Sequence, residues 1–359
     1  MGGDHAPGAP IAGALAAVRE LGCDVRLVGP EPEIRLELVR QAPGNHSAAA
    51  PNDANLANSP IPIVHAPEVI GMGEHPVEAI RAKRGSSIVV GLNLVAQGEA
   101  DAFVTAGNTG AAMAGAVFGL KRIPGVDRPA LATPFPTSRG ICLLLDVGAN
   151  ADARPHNLVQ FAVMGAIYAE RVLGIANPSV GLLSIGEEES KGNLLVQEAH
   201  RRLRHAPVRF IGNVEGNDLP AGKADVVVTD GFVGNVVIKL CEGVVSTMLH
   251  VIRAEITANP LSTALAAGLR PAFGRVRRRV DYAEYGGAPL LGVDGVCIIA
   301  HGRSDALAIR NAVRVAGDAV RNSVVDRIRE GLQEVMEPTD DERGPDTSVQ
   351  TTSDQQPRR

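Results

Sequence analysis

Lys191 is the residue around which chemistry gathers in this chain. It stands in Gly186-Glu187-Glu188-Glu189-Ser190-Lys191-Gly192-Asn193, a polar turn that ends the apolar run 180–185 and precedes a helix-like pattern from Leu194. An ammonium in a Gly-flanked turn just before a helix can reach an anion held by the free N–H groups of the helix start. The same lysine could instead be solvated and neutralise the three acids beside it. The arrangement of strand, polar turn and helix start recurs at Val104-Thr105-Ala106-Gly107-Asn108-Thr109-Gly110, at Leu145-Asp146-Val147-Gly148-Ala149-Asn150 and at Val228-Thr229-Asp230-Gly231-Phe232-Val233-Gly234-Asn235. In an open α/β sheet such turns share the carboxyl edge of the strands, where ligands bind. The recurrence therefore predicts one small-anion site built from several turns. Any single Gly-Asn pair is weak evidence, because both residues also fill ordinary left-handed turns.

The candidate residues follow from those turns. Asn235, after Gly234 at a helix start, either offers its amide N–H to a carbonyl oxygen or merely caps the helix. Asn108 with Thr109, Asn150 and Asn193 carry the same ambiguity. Asp4 and His5 lie in the Gly-rich opening Gly2-Gly3-Asp4-His5-Ala6-Pro7, and His301 sits between Ala300 and Gly302 after a strand-like run. Each histidine reads equally as a binding group or as an ordinary satisfied side chain. The triple acid hints at a metal, but no matching His or Asp cluster accompanies it, so neither metal nor cofactor is expected.

The elements that must position these residues alternate along the chain. Strand-like runs at 25–28, 61–65, 102–105, 140–146, 180–185, 209–211, 225–229 and 296–300 interleave with helix-like runs at 86–97, 110–120, 157–172, 235–252 and 304–332. Such alternation predicts an α/β fold of three layers, α/β/α, around a mostly parallel sheet. One catalytic domain is expected over 1–336. Residues 41–60, rich in Ala, Asn, Pro and Ser, read as a surface insertion, and the polar, aperiodic residues 337–359 as a disordered tail.

Composition narrows the class. The 359 residues are 45% apolar and 21% charged, which is an enzyme-like balance. Aromatics are only 3% and Trp is absent, so the core must be built from Ala, Val, Leu and Ile. A net charge of −5 argues against a general nucleic-acid binder. No uninterrupted apolar run reaches the roughly 18 residues of a spanning helix, and no signal peptide is visible. Cys23, Cys142, Cys241 and Cys297 lie far apart in or beside apolar runs and read as reduced core residues in a cytoplasmic protein.

The opening GGDHAP, the turns AGNTG, DVGAN, GEEESKGN and DGFVGN, and Tyr282-Ala283-Glu284-Tyr285-Gly286-Gly287-Ala288-Pro289-Leu290-Leu291-Gly292 followed by Ala300-His301-Gly302 occur in this order. Together they resemble the bacterial phosphate acyltransferase family PlsX over about residues 1–333. The resemblance implies transfer of an acyl group from acyl carrier protein to inorganic phosphate, the entry step of phospholipid synthesis. It also implies a homodimer with a fold like isocitrate and isopropylmalate dehydrogenase, and a glycerol-3-phosphate acyltransferase as the next enzyme. A phosphotransacetylase-like enzyme using acyl-CoA is the alternative; a dehydrogenase would need a nucleotide fingerprint that is absent. Family members carry a short apolar strand before the opening turn, whereas this chain begins at Met1 of that turn. Restoring such a strand is expected to raise stability, since a sheet lacking an inner strand leaves backbone groups unpaired.

The implied chemistry suits these residues. Phosphate is already an anion, and a thiol of pKa about 8.5 leaves without strong acid help. What is needed is a pocket that holds phosphate beside a thioester carbonyl and stabilises the oxyanion. Lys191 and Asn235 are the expected catalytic pair, with the other turn residues binding substrate. A separate segment, 253–280, reads as a protruding helical hairpin. Leu261, Leu265, Leu269 and Phe273 recur every four residues on one helical face, and Arg270, Arg275, Arg277, Arg278 and Arg279 cluster at its end, with Pro260 and Pro271 interrupting. It could pack in a dimer interface, or touch an anionic membrane surface or the acidic carrier protein. Peripheral membrane association is the expectation.

Overall fold

The computed structural model describes residues 1–42, 61–259, 263, 266, 268–280 and 284–336. Most of the insertion expected at 41–60, the tail 337–359, and Leu261 and Leu265 lie outside the described residues. In chain order the described elements are α1 (Gly8–Leu21), β1 (Leu27–Gly29), α2 (Glu31–Arg40), β2 (Ile63–His65), α3 (Pro76–Ala82), α4 (Ser87–Ala96), β3 (Ala102–Thr105), α5 (Thr109–Gly119), β4 (Ala130–Thr137), β5 (Gly140–Leu145) and α6 (Pro155–Arg171). They continue with β6 (Ser179–Leu183), α7 (Leu194–Leu203), β7 (Arg209–Val214), α8 (Asp218–Ala221), β8 (Val226–Val228), α9 (Gly231–Ile256), α10 (Arg270–Val280), β9 (Ala288–Leu291), β10 (Val296–Ile299), α11 (Ala306–Arg321) and α12 (Val324–Met336).

The main sheet has eight strands in the order β3-β10-β9-β4-β5-β8-β6-β7. Period-two side chains divide its core between two faces. Leu143, Leu145, Val226 and Val228 point to one cluster with Phe161, Met164 and Leu332. Cys142, Leu144 and Val227 point to the other, with Leu92, Ala112 and Phe135. Each cluster is roofed by helices, so these strands are buried on both sides and read as near-continuous apolar runs.

The expectation of a mostly parallel sheet needs correction. β3 and β10 are parallel, and so are β5, β8, β6 and β7, but β10/β9, β9/β4 and β4/β5 are antiparallel. Three reversals separate β10 from β5, so the two parallel groups run in opposite directions. Each parallel group thus has its own carboxyl edge, but the register staggers the groups. Ile299 pairs with Ala288, Leu131 with Leu290 and Ala132 with Leu145, so the ends of β10 and β5 reach the same level of the sheet and the turns that follow them meet from opposite directions. The reversing strands are the ones sequence pattern hides. β4 contains Pro134 and Pro136, which normally argue against a strand. Here Leu143, opposite Pro134, donates its N–H to Asp225 on the β8 side, so the proline nitrogen faces away from β5. β9 pairs β4 only at Ala130 and Leu131, leaving that edge open where the prolines lie.

The long helix expected at 304–332 is two helices, α11 and α12. They part at Asn322-Ser323, where Ser323 takes φ +51°. β1 and β2 form a separate parallel pair. A cavity of about 650 Å³ lies between β1 and β3, lined by Leu27, Val28, Ala102, Val104, Ile309 and the Met1 end. Among the described residues each of these strands has one edge in no ladder, and burial lowers the pKa of the Met1 amino group.

Candidate functional site

Three neighbouring strands, β5, β8 and β6, deliver the first group of turns to one sheet edge. Asp146 organises it. Its fully buried carboxylate accepts N–H groups from Leu131 (3.0 Å), Gly148 (3.2 Å), Ala149 (3.0 Å) and Asn150 (2.7 Å), and the Asn150 side-chain amide (2.8 Å). Burial raises its pKa, and these donors oppose the rise. Asn150 also donates to the Pro129 carbonyl at 2.7 Å. The start of α9 is laid directly on this turn. A Cβ at Gly234 would overlap the Asp146 carbonyl oxygen, and one at Gly231 would come within 2.8 Å of the Asn150 backbone. Only glycine permits that approach.

Asp230 is the cap of α9, accepting the Val233 N–H at 3.0 Å. Asn235 is thus released from the capping role that sequence left open. It lies in the second turn, exposed, beside Gly148, and its side chain makes no hydrogen bond among the described residues. Lys191 is equally uncommitted. Of the neighbouring acids, Glu187 pairs with Lys223 and Glu189 with Arg204 at 3.3 Å. The exposed Lys191 ammonium has no ion pair among the described residues, so it does not serve as their neutraliser. Its stem crosses Gly186 and its N–H donates to Glu188 O at 3.0 Å. Asn193 caps α7, accepting from Val196 N–H at 2.9 Å, and Gln197 ties the loop by donating to Ser190 O at 2.8 Å. Beneath this loop the Ser184 Oγ is buried without a hydrogen-bond partner among the described residues.

The second group lies at the ends of β3 and β10. Asn108 is buried and fully engaged. Its Oδ1 accepts Ala111 N–H at 2.9 Å, capping α5, while its Nδ2 faces the carbonyls of Gly71 (3.1 Å), Met72 (3.2 Å) and Glu74 (3.2 Å). Thr109 is exposed at the first position of α5. Asp4 donates its N–H to Gly302 O at 2.9 Å, and Asp4 and His5 are both exposed. His301 is half-buried, and its Nδ1 accepts the Arg303 N–H at 3.2 Å. Burial lowers its pKa, and the charge of Lys239 lowers it further.

That last influence joins the two groups. Lys239 belongs to α9, which starts at the first edge. Val237, Ile238 and Cys241 pack it against the sheet cluster that holds Phe135 and Leu144. The helix so carries Lys239 and Glu242 to within electrostatic reach of His301, on which Asp4 also acts.

A family model described as "Fatty acid synthesis protein" matches residues 1–327. A protein from Heliobacterium modesticaldum named phosphate acyltransferase is 52% identical over 338 residues, covering 94% of this chain and 97% of its own. One of the same name from Desulforamulus reducens is 51% identical, covering 93% and 96%. The chain belongs to the phosphate acyltransferase family.

Solved structures place the family's fold among phosphotransacetylases at low identity. The Streptococcus pyogenes phosphotransacetylase has TM-score 0.52 at 15% identity, covering 90% of this chain and 91% of its own. The EutD phosphotransacetylase of Staphylococcus aureus has TM-score 0.50 at 15% identity, covering 86% and 99%. These likenesses concern the α/β fold alone.

Two further observations bear on chemistry in this family member. Burial pushes the Cys142 and Cys297 thiols up to about 12, so neither supplies a thiolate nucleophile near neutral pH. Among the described residues no group of three or more His, Cys, Asp or Glu is arranged to hold a metal. Sequence reasoning passed over Asp146 and Lys239. Asp146 was inside a quoted motif, and a buried acid heading a Gly-Asn turn was a usable signal. Lys239 could have been found from its spacing of four after Asn235.

The segment 253–280 is partly described. It begins in the last turn of α9, and Leu269, Phe273 and Arg275 are exposed; the side chains of Arg277 and Arg278 lie outside the described residues. Contrary to the reading of apolar runs, α9 contains an 18-residue stretch of mean hydropathy 1.5, long and apolar enough by composition to cross a membrane. Lys239 and Glu242 interrupt the run in sequence without lowering its average enough to disqualify it.

Proposed function

We propose that this chain forms acyl-phosphate from the acyl thioester of acyl carrier protein and inorganic phosphate, with Lys191 and Asn235 as the groups that act on the reacting atoms. A phosphate oxygen bonds to the thioester carbon, the C–S bond breaks, and the sulfur leaves as thiolate and takes up a proton. The single observation that carries this reading is the pair of uncommitted polar groups: the Lys191 ammonium and the Asn235 amide have no side-chain partner among the described residues and follow adjoining strands, where Glu187, Glu189, Asn150 and Asn193 are engaged. Lys191 neutralises phosphate, and the Asn235 amide stabilises the oxyanion that develops on the carbonyl. Asn150 and Asn193 hold the turns in place, and Asp4, His5, Thr109 and His301 face substrate from the other side. The high thiol pKa of the buried cysteines favours direct attack over an acyl-enzyme.

The finer fold reading is the layered type of isocitrate and isopropylmalate dehydrogenase, in one catalytic domain over 1–336. A homodimer is supported by the exposed stripe Phe232, Val236, Leu240, Val244 and Met248 at four-residue spacing on α9, which a second copy would cover. Exposed Leu269, Phe273 and Arg275 on α10 support contact with an anionic lipid surface or with the acidic carrier protein.

The test measures thiol release from long-chain acyl carrier protein and from acyl-CoA, each with and without phosphate and with and without EDTA. Phosphate-dependent release from the carrier, insensitive to EDTA, is expected. Preference for acyl-CoA would move the chain to the alternative donor, and loss with EDTA restored by Mg²⁺ would overturn the metal-free mechanism.

A further inference from the structure

We infer that Lys239 is a second substrate-positioning cation, holding inorganic phosphate between the Asn235 turn and the His301 turn. The inference rests on the proposed reaction and extends its site to a residue outside the motif pair.

The argument starts from the helix. Positions four apart in an α-helix lie on one face, one turn along. The face of α9 that turns inward is marked by Gly231 and Gly234, which are buried, and by Val237, Ile238 and Cys241, which pack on the core. Asn235, Lys239 and Glu242 form the stripe beside it. Asn235 stands near Gly148 at one sheet edge. Lys239 stands where His301 feels its charge more strongly than those of Glu242, Arg303 and Asp4, the other charges acting on that histidine. One turn of α9 therefore runs from one group of turns toward the other, where the carboxyl ends of the two opposed strand groups meet.

The state of the lysine suits an anion. Its Nζ donates to Glu242 Oε2 at 3.0 Å, with its side chain 53% exposed. A lysine ammonium has three donors. One is directed to Glu242, which fixes where the ammonium sits, and two remain for a ligand. Phosphate bound by Lys191 alone would carry two negative charges against one positive. A second fixed cation supplies the missing charge, and charge-assisted hydrogen bonds to it are among the stronger kind.

The test uses the full-length protein and the variants Lys239→Met, Lys239→Arg and Glu242→Gln. Equilibrium phosphate binding is read by calorimetry, and KM for phosphate and for acyl carrier protein by steady-state thiol release. Loss of one charge-assisted contact should weaken phosphate binding by about 10- to 100-fold in Lys239→Met. KM for the carrier and the melting temperature should stay near the parent's, and Lys239→Arg should recover most of the loss. The His301 ring, followed by NMR, should titrate at higher pH in Lys239→Met, because a repelling positive charge is gone. Unchanged phosphate binding in Lys239→Met, with His301 shifted as expected, would overturn the inference while leaving the lysine's position intact. A rise confined to the carrier's KM would also overturn it, by assigning the lysine to carrier docking. Because calorimetry needs no turnover, the inference is decided separately from the reaction. Should the parent bind phosphate through Lys239 yet release no thiol, the proposed function fails and the phosphate site stands.

Discussion

The turn around Asn108 and the turn around Asn235 look alike in sequence and do opposite things. In sequence both set Gly and Asn after a strand-like run and at the start of a helix-like one. At Asn108 the side chain caps α5 and gathers three carbonyls of the 71–74 segment, so its capacity for hydrogen bonds is filled from within the protein. At Asn235 the cap is Asp230, and glycines at 231 and 234 press the helix onto the Asp146 turn. The Asn235 side chain, one turn further on, has no hydrogen bond among the described residues. Residue type and spacing do not separate an asparagine whose hydrogen bonds are filled from one left open to a ligand; the number of partners already supplied by the fold does. Lys191 beside its paired acids teaches the same lesson.

Breaking each side of this contrast should have distinct consequences. Lys191→Ala removes a preorganised charge and is expected to lower turnover by about 100- to 1,000-fold with little change in melting temperature. Near-normal turnover would take Lys191 out of the site. Asn235→Ala should act in the same direction, by about 10- to 100-fold, again without unfolding. Asn108→Ala should do the reverse, costing about 1–2 kcal/mol of stability through its cap and buried contacts, while the folded fraction keeps most of its turnover. A collapse of turnover at unchanged stability would return Asn108 to the phosphate site. Adding an apolar strand ahead of Met1 should raise the melting temperature by joining the edges of β1 and β3 that pair in no ladder among the described residues, across the cavity between them; equal melting curves would show that those edges are satisfied otherwise. The smallest effect is expected of Cys241→Ser, which should retain most activity, and an acyl group trapped on that thiol would contradict direct attack.

Much of this was legible before any coordinates. The buried strands β5, β6 and β8 announce themselves as apolar runs, because sheets covered on both faces need them. The turns behind them identify the family and supply Lys191 and Asn235. The reversing strands were hidden because two prolines and a short partner strand erase the usual signal in β4 and β9. Without them the two opposed strand groups, and the place of α9 where their carboxyl ends meet, could not be foreseen. Hydrogen-bond saturation was likewise illegible. It depends on segments distant in sequence, such as 71–74 for Asn108 and Pro129 for Asn150.

The central claim is that phosphate attacks the thioester directly at Lys191 and Asn235. Single-turnover mixing of the parent protein and of Lys191→Ala with acyl carrier protein, with and without phosphate, tests it most directly. Thiol release and acyl-phosphate formation should rise together in the parent only when phosphate is present, with no acylated protein by mass spectrometry, and both should be slowed in the variant. Thiol release in the absence of phosphate, accompanied by an acylated side chain, would contradict it.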